Sequence, residues 1–297
     1  MRDLLDRVRG GECLIGDGAI GTSLLAEGIP LGSSLERFNI EDPERIEAIS
    51  AAFLEAGADI IQTNTFGASP LNLARHRLEG ETEEINRAAV RIARRAAGGR
   101  AYVAASFGPS GRLLMPHGDA DPAEVADSFR RQASALAEEG VDLFSVETMT
   151  DLAEAALAVK AARKAAPGIP VSASMTFDPT PRGFFTVMGV DIARAARGLE
   201  EAGADIVGSN CGNGIEIMAR IAREYRSVTR LPLVIRPNAG LPRIEGGAAL
   251  YPETPEFFEE KAEELLELGV SILGGCCGAG PGHIRALRRL VDRRRQA

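Results

Sequence analysis

A single closed (βα)8 barrel of the α/β class, a TIM barrel spanning residues 1–297, is the fold this sequence predicts, and three observations predict it. Short apolar runs alternate with helical patterns along the whole chain, eight of each, which implies parallel strands joined by crossover helices. A unit of helix, glycine stop and apolar run also recurs: Leu54-Glu55-Ala56-Gly57-Ala58-Asp59-Ile60-Ile61 returns as Glu200-Glu201-Ala202-Gly203-Ala204-Asp205-Ile206-Val207. Softer copies surround Gly140 and Gly269. Finally, polar residues collect where apolar runs end: Asp17, Gln62-Thr63-Asn64, Ser106, Glu147, Ser174, Asn210-Cys211, Asn238 and Cys276-Cys277. In a barrel those ends converge on one mouth, where such folds do their chemistry, whereas an open sheet would string them along an edge.

The first apolar run, 13–16, is too short for anything but a buried strand. Only a short helical turn near 21–27 and an irregular segment follow it before Asp42-Pro43-Glu44 opens a helix at 44–56 with a capping acid and proline at the first helical position. Gly57 supplies the left-handed stop and 59–63 the second strand. A helix at 84–97 leads to a strand at 101–107. Asp121-Pro122-Ala123-Glu124 starts the helix at 122–139, and Gly140 ends it before the strand at 142–147. The pattern continues with a helix at 151–165, a strand at 170–175, a helix at 191–202, a strand at 205–209, a helix at 214–228 and a strand at 232–236. Glu253-Thr254-Pro255-Glu256 opens the helix at 256–268, and a strand at 270–275 and a helix at 282–295 complete the count. Long loops at 27–43, 108–121, 177–190 and 238–255 follow alternate strands, and loops of that length usually cover or build a site. Gly183-Phe184-Phe185-Thr186 and Met115-Pro116-His117-Gly118 are candidates to line a lid.

A net charge of −8 argues against nucleic acid as a partner. With 45% hydrophobic residues, the absence of any run long enough to span a membrane and of a signal-peptide core, the expectation is a cytoplasmic protein with no membrane partner. The arginines at 285, 288, 289 and 293–295 suit the negative end of a final helix.

Four cysteines in such a chain point to metal or catalytic chemistry rather than a disulfide framework. Cys13, within Cys13-Leu14-Ile15, reads as a small buried hydrophobe. Cys276 and Cys277 follow one strand and Cys211 another, an arrangement that presents three thiolates to one metal ion. Consecutive strand residues point to opposite faces, so the vicinal pair must leave β geometry, which Gly274, Gly275 and Gly278 allow. A Cys276–Cys277 disulfide is the competitor, and it needs strained geometry in an oxidising compartment. Three sulfurs suit zinc and leave its fourth position open, the pattern of a reactive site. His76, His117 and His283 have no ligand spacing, so the metal rests on sulfur alone. All-thiolate zinc is a weak Lewis acid toward water but still takes the proton from a bound thiol and keeps that sulfur nucleophilic. Thiol alkylation is the chemistry this favours.

Gly16-Asp17-Gly18-Ala19-Ile20-Gly21 matches the dinucleotide fingerprint, but Asp17 would set a carboxylate against a pyrophosphate, and no βαβ unit closes within the next thirty residues. An acid beside free amide donors instead suits a zwitterionic amino acid. Glu147, after an apolar run, needs a cation: a substrate ammonium or an arginine of a neighbouring loop. Gln62, Thr63 and Asn210 offer directional hydrogen bonds in the same mouth, and Asn238 is either a site residue or a turn residue.

Gly208-Ser209-Asn210-Cys211, Gly274-Gly275-Cys276-Cys277-Gly278 with Pro281 and His283-Ile284, Asp17-Gly18-Ala19 and Gln62-Thr63-Asn64-Thr65 together resemble the homocysteine S-methyltransferase family over nearly the whole chain. The resemblance implies a (βα)8 barrel in which Cys211, Cys276 and Cys277 bind one Zn2+ and homocysteine sulfur takes the open position. It implies that Asp17 and Glu147 hold the amino group, that Gly18 and Thr63 hold the carboxylate, and that Asn238 matches a position approaching zinc when substrate is absent. Segment 62–68 looks most like the methionine synthase branch, whose donor is a methylcorrinoid. No second, folate-binding barrel and no Asp-x-His-x-x-Gly cobalamin ligand is expected within this chain, so cobalamin is not bound by it alone. The expected donor is a methylcorrinoid or methyltetrahydrofolate system on a corrinoid- or folate-binding partner. A small sulfonium such as S-methylmethionine, or a betaine, is the alternative. The same barrel acting on another thiol, or a non-catalytic zinc subunit docking a corrinoid protein, completes the set, although structural zinc normally has four protein ligands.

Overall fold

Eight parallel strands, each buried along its whole length or nearly so, set the frame: β1 (Leu14–Ile15), β2 (Ile60–Gln62), β3 (Tyr102–Phe107), β4 (Leu143–Met149), β5 (Val171–Met175), β6 (Ile206–Asn210), β7 (Leu233–Arg236) and β8 (Val270–Leu273). The computed structural model describes residues 2–245 and 248–296. The strands pair in the order β1-β8-β7-β6-β5-β4-β3-β2. A parallel bridge between Gly16 and Ile60, with the Asp59 amide donating to the Ile15 carbonyl at 2.7 Å, joins the two ends into a barrel.

All eight expected strands are present, and so are the eight long helices: Pro43–Glu55, Thr82–Ala97, Pro122–Glu138, Leu152–Ala165, Ile192–Ala202, Ile215–Val228, Pro255–Glu267 and Pro281–Gln296. Their ends follow local chemistry. Asp42, Asp121 and Thr254 accept hydrogen bonds from the amides of Arg45, Ala123 and Phe257, satisfying donors that a helix N-terminus leaves free. Gly57 and Gly203 end helices at φ 102° and 110°, left-handed values that a side chain disfavours.

Side chains alternate across each strand, so two separate cores result. Leu14, Ile60, Tyr102, Leu143, Ile206, Val234 and Ile272 fill the barrel interior. Ile15, Ile61, Val103, Phe144, Val171, Val207, Ile235 and Leu273 face outward onto the helices. Inside, the strands approach closely at Gly208, where a Cβ would lie 1.8 Å from the Val234 carbonyl oxygen. Toward the C-terminal ends the interior positions turn polar through Gln62, Ser106, Glu147, Ser174, Asn210 and Arg236, all buried. This switch positions the site.

Four of the departures from the expected pattern stand out. The helix Leu4–Arg9 precedes the barrel, and its Leu4 and Val8 join the interior cluster at the N-terminal end. A short helix, Phe38–Glu41, lies within the segment expected to be irregular. Loop 177–190 carries the hairpin Asp178–Thr180 with Gly183–Phe185. Loop 238–255 carries the hairpin Arg243–Glu245 with Ala248–Leu250, and residues 246–247 of that loop lie outside the described residues. None of the four has an apolar period long enough to read in advance. Of the C-terminal arginines, Arg289 and Arg293 pair with Glu259 and Arg294 with Glu267, across a helix pair. Among the described residues no helix is long and apolar enough to cross a membrane.

Candidate metal centre and its cavity

Cys211 follows the last residue of β6, and its amide donates to the Arg236 carbonyl of β7 at 3.1 Å. Its φ of 61° lies in the left-handed region, which costs a side chain energy and turns the thiol out of the strand direction. The segment after β8 is tied to the same neighbour: the Cys276 amide donates to the Pro237 carbonyl at 2.7 Å, and the Ala239 amide to the Cys277 carbonyl at 2.9 Å. The sulfurs of Cys211, Cys276 and Cys277 therefore gather within 4.8 Å of one another, with Cys211 and Cys277 Sγ 3.8 Å apart. All three are free thiols, so no vicinal disulfide forms.

The glycines act differently from the sequence expectation. Only Gly278, at φ 80°, takes a left-handed conformation. Gly274 and Gly275 are needed for close packing, since a Cβ on Gly275 would lie 2.3 Å from Ala279 Cβ and one on Gly274 3.0 Å from the Asp17 carbonyl oxygen.

Three sulfurs this close fit a single soft or borderline cation. Hydrogen bonds within the trio, some lowering and some raising, together with burial, push Cys211 up to about 11 and Cys276 and Cys277 up to about 12. Three thiolates cannot coexist there without a cation. Asn210 Nδ2 donates to Cys276 Sγ at 3.7 Å, the kind of outer contact that orients a metal-binding thiolate. Asn238 Oδ1 is buried with no hydrogen-bond partner, in the residue next to Ala239, whose amide holds the Cys277 carbonyl. The donor set thus fits the expected zinc.

A cavity of about 220 Å³ opens beside the sulfurs. Gly18, Gln62, Thr63, Glu147, Cys211, Cys276 and Cys277, all expected site residues, line it. So do Leu35, Glu36, Phe66, Thr148 and Arg236, which were not expected. Asp17, Asn210 and Asn238 are buried and do not line it. The two candidate lid segments do not line it either. Phe184 is buried beneath the Arg220 guanidinium, 5.2 Å from its ring, and Met115 is exposed. Loops after β1 and β2 enclose the cavity instead. A larger groove of about 560 Å³ at the opposite end of the barrel holds Cys13, whose thiol burial pushes up to about 12, so it is inert there.

Beneath the cavity lies an ion-paired floor. Arg236 Nη2 donates to Asp17 Oδ1 at 2.8 Å and Nη1 to Glu147 Oε2 at 3.3 Å, while Nε donates to the Gly275 carbonyl at 3.1 Å. The Gln62 amide donates to Asp17 Oδ2 at 2.7 Å, and Gln62 Nε2 to Glu147 Oε1 at 2.8 Å. Ser106 Oγ donates to the same Glu147 oxygen. Burial pushes the Asp17 carboxyl up to about 6, against the opposing pull of Arg236 and of the Gln62 amide and with a further push from Glu147.

Thr63 is engaged with its neighbours, its Oγ1 lying 2.6 Å from Thr65 Oγ1 and accepting from the Ser106 amide at 3.2 Å. Asn210 is the hub of the far wall, accepting from the Thr148 amide and Ser174 Oγ at 2.7 Å each. Tyr251, on the loop after β7, packs against Gly278, and burial and the neighbouring Cys277 push its hydroxyl up to about 12.

Arg236 is the main residue that sequence reasoning missed. Its signal is the one that singled out Glu147: a charged residue directly after the apolar run Leu233-Val234-Ile235. Tyr251 and Phe66 carry no comparable signal.

A family model described as homocysteine S-methyltransferase matches residues 14–291. A methionine synthase of Mycobacterium tuberculosis is 34% identical over 306 residues, 97% of this chain but 25% of that protein, so the chain spans about a quarter of its length. The S-methylmethionine–homocysteine S-methyltransferase BHMT2 of Rattus norvegicus is 30% identical over 306 residues, 96% of this chain and 80% of that protein. Among solved structures, the metallated form of the homocysteine methyltransferase MmuM from Escherichia coli superposes with a TM-score of 0.78 at 24% identity, covering 94% of this chain and 96% of that one, a likeness of fold.

Proposed function

The chain belongs to the homocysteine S-methyltransferase family, and from that premise we propose that it transfers a methyl group to the thiol of L-homocysteine, giving L-methionine. The observation that carries this is the meeting of Cys211, Cys276 and Cys277 beside a cavity whose floor presents Glu147. Zn2+ held by the three cysteines would supply ionisation of the acceptor thiol at neutral pH.

The chain's own residues do the rest. Glu147 Oε2, whose single contact in the floor is the 3.3 Å one to Arg236, receives the substrate ammonium. Asp17 serves that group at one remove, because both its oxygens are taken by Arg236 and the Gln62 amide. The Gly18 backbone, at a position where a Cβ would lie 2.0 Å from the Ala279 carbonyl, lies open to the substrate carboxylate, with Thr63 beside it. Asn210 steadies Cys276, and Asn238, whose side-chain oxygen is buried without a partner, would be a further oxygen donor to the metal when substrate is absent. Fixing both ends of the amino acid aims the sulfur along one line, so the methyl is taken in a single displacement in which sulfur supplies the electron pair and the leaving donor keeps its own. The protein needs no general base beyond the path by which the thiol proton leaves.

We assign the donor to a methylcorrinoid or methyltetrahydrofolate system carried by a partner protein. Leu31, Phe66, Leu113, Met115, Val187 and Leu241 are exposed apolar side chains on loops that follow strand C-terminal ends, the face a donor-carrying protein would cover. The likeness to a methionine synthase over a quarter of its length supports the same donor. A second reading, a small sulfonium donor, is favoured by the BHMT2 relative, most of whose length is matched. The free thiols suit a reducing, cytoplasmic setting. Zinc-loaded protein incubated with homocysteine and, in parallel, methylcobalamin, S-methylmethionine or betaine tests these proposals. Methionine from one donor identifies it, and methionine from none removes the assignment.

A further inference from the structure

The floor holds an unequal count of charges. Asp17, Glu147 and Arg236 are all buried, so one guanidinium faces two carboxylates away from water. Their arrangement is not symmetrical. Asp17 makes the shorter contact, 2.8 Å against 3.3 Å, and its second oxygen accepts the Gln62 amide, so both its oxygens are engaged and Arg236 pairs chiefly with it. Glu147 Oε1 is likewise taken by Gln62 Nε2 and Ser106. The remaining negative charge therefore resides on Glu147 Oε2, and Glu147 lines the cavity while Asp17 does not.

We propose that Arg236 is a specificity-determining positioning residue: by compensating Asp17 it leaves the floor one negative charge in excess, at Glu147, and so fits the site to an acceptor thiol that carries one ammonium group. The inference rests on the acceptor assignment made above. An acceptor without an ammonium leaves that buried charge unpaired, which is costly in a low-dielectric site. An ammonium brings the floor to neutrality. Arg236 is also anchored by the Gly275 carbonyl, one residue before the cysteine pair, so the charge count and the sulfur site are held by one side chain.

Charge bookkeeping of this kind has a test that a purely structural role does not pass. The affinities of the zinc-loaded protein for L-homocysteine and for 4-mercaptobutyrate, the same thiol without its amino group, are compared by calorimetry, with zinc content and thermal melting recorded for each variant. Wild type is expected to favour homocysteine by about tenfold or more. Asp17→Asn leaves one guanidinium against one carboxylate, and the preference should fall by a similar factor. Adding Arg236→Met to Asp17→Asn restores a lone Glu147 charge and should return the preference to within about threefold of wild type.

A folded, zinc-bound double variant that discriminates no better than Asp17→Asn overturns the proposal, as does equal affinity of the wild type for the two thiols. If Asp17→Asn does not fold, the double variant decides alone: retained preference supports the charge count and lost preference overturns it. Failure of wild type to methylate homocysteine with any donor would strike the acceptor chemistry proposed above and leave these affinity ratios standing.

Discussion

Asn210 grips Thr148 at two points, its Oδ1 accepting from the Thr148 amide and its Nδ2 donating to Thr148 Oγ1, both at 2.7 Å. The grip is needed because Thr148, a β-branched residue directly after Glu147, sits at φ 60°, where branched side chains are strained. Asn210 thereby couples the end of β4, which carries Glu147, to the end of β6, which leads into Cys211. Asn210→Ala should lower unfolding free energy by about 2–3 kcal/mol, since it strands the Thr148 amide and the Ser174 hydroxyl. Urea denaturation measures it, and an unchanged midpoint would show the strain is held by something else.

Cys276→Ala and Cys211→Ala are each expected to abolish stoichiometric zinc and turnover together, because two sulfurs do not complete the protein's share of a tetrahedral site. Metal analysis after dialysis checks this. Equimolar zinc, or activity in the metal-free variant, would rule out the proposed centre.

Glu147→Gln should retain zinc yet weaken homocysteine binding by about 30-fold, the equivalent of about 2 kcal/mol, because an amide cannot compensate an ammonium. Calorimetric titration of the zinc-loaded variant decides. Wild-type affinity would move the ammonium site elsewhere.

Asp17 makes both stability and acceptor binding depend on pH. Its folded-state carboxyl, raised to about 6 from 3.8, binds a proton more readily than in the unfolded chain. Its contribution to stability is therefore full below the unfolded value and is lost as pH rises through about 6, a change of about 3 kcal/mol. The groups facing it are Arg236, Glu147 and the Gln62 amide. When Asp17 is protonated, Arg236 and Glu147 cancel, so homocysteine affinity should fall as pH drops through the same range. Chemical denaturation and calorimetry from pH 4 to 8, on wild type and Asp17→Asn, test both. Parallel profiles for the two proteins would assign the dependence to another group.

Strand count, helix starts and glycine stops were legible in advance because each depends on a few neighbouring residues. Gly57 ends its helix where a left-handed residue is required, and Asp42 caps the start of that same helix through its own side chain. The site was legible in part for the same reason: Cys211, Cys276, Cys277 and Glu147 all stand at or a few residues past the ends of apolar runs, and a barrel brings such ends together. The short hairpins on the loops after β5 and β7, and Tyr251 between one of them and the next helix, left no trace, since three-residue strands have no period to detect.

The sequence by itself determined the barrel, its order of elements and the identity of the three sulfurs, since those follow from local periodicity and from where polar residues interrupt apolar runs. Only the tertiary structure decided which carboxylate Arg236 holds the more closely and which one lines the cavity. Asp17 and Arg236 are 219 residues apart in the chain and 2.8 Å apart in the barrel. Whether a carboxylate faces a substrate or a guanidinium depends on which side chain crosses the interior to meet it, and that is settled by packing between distant strands.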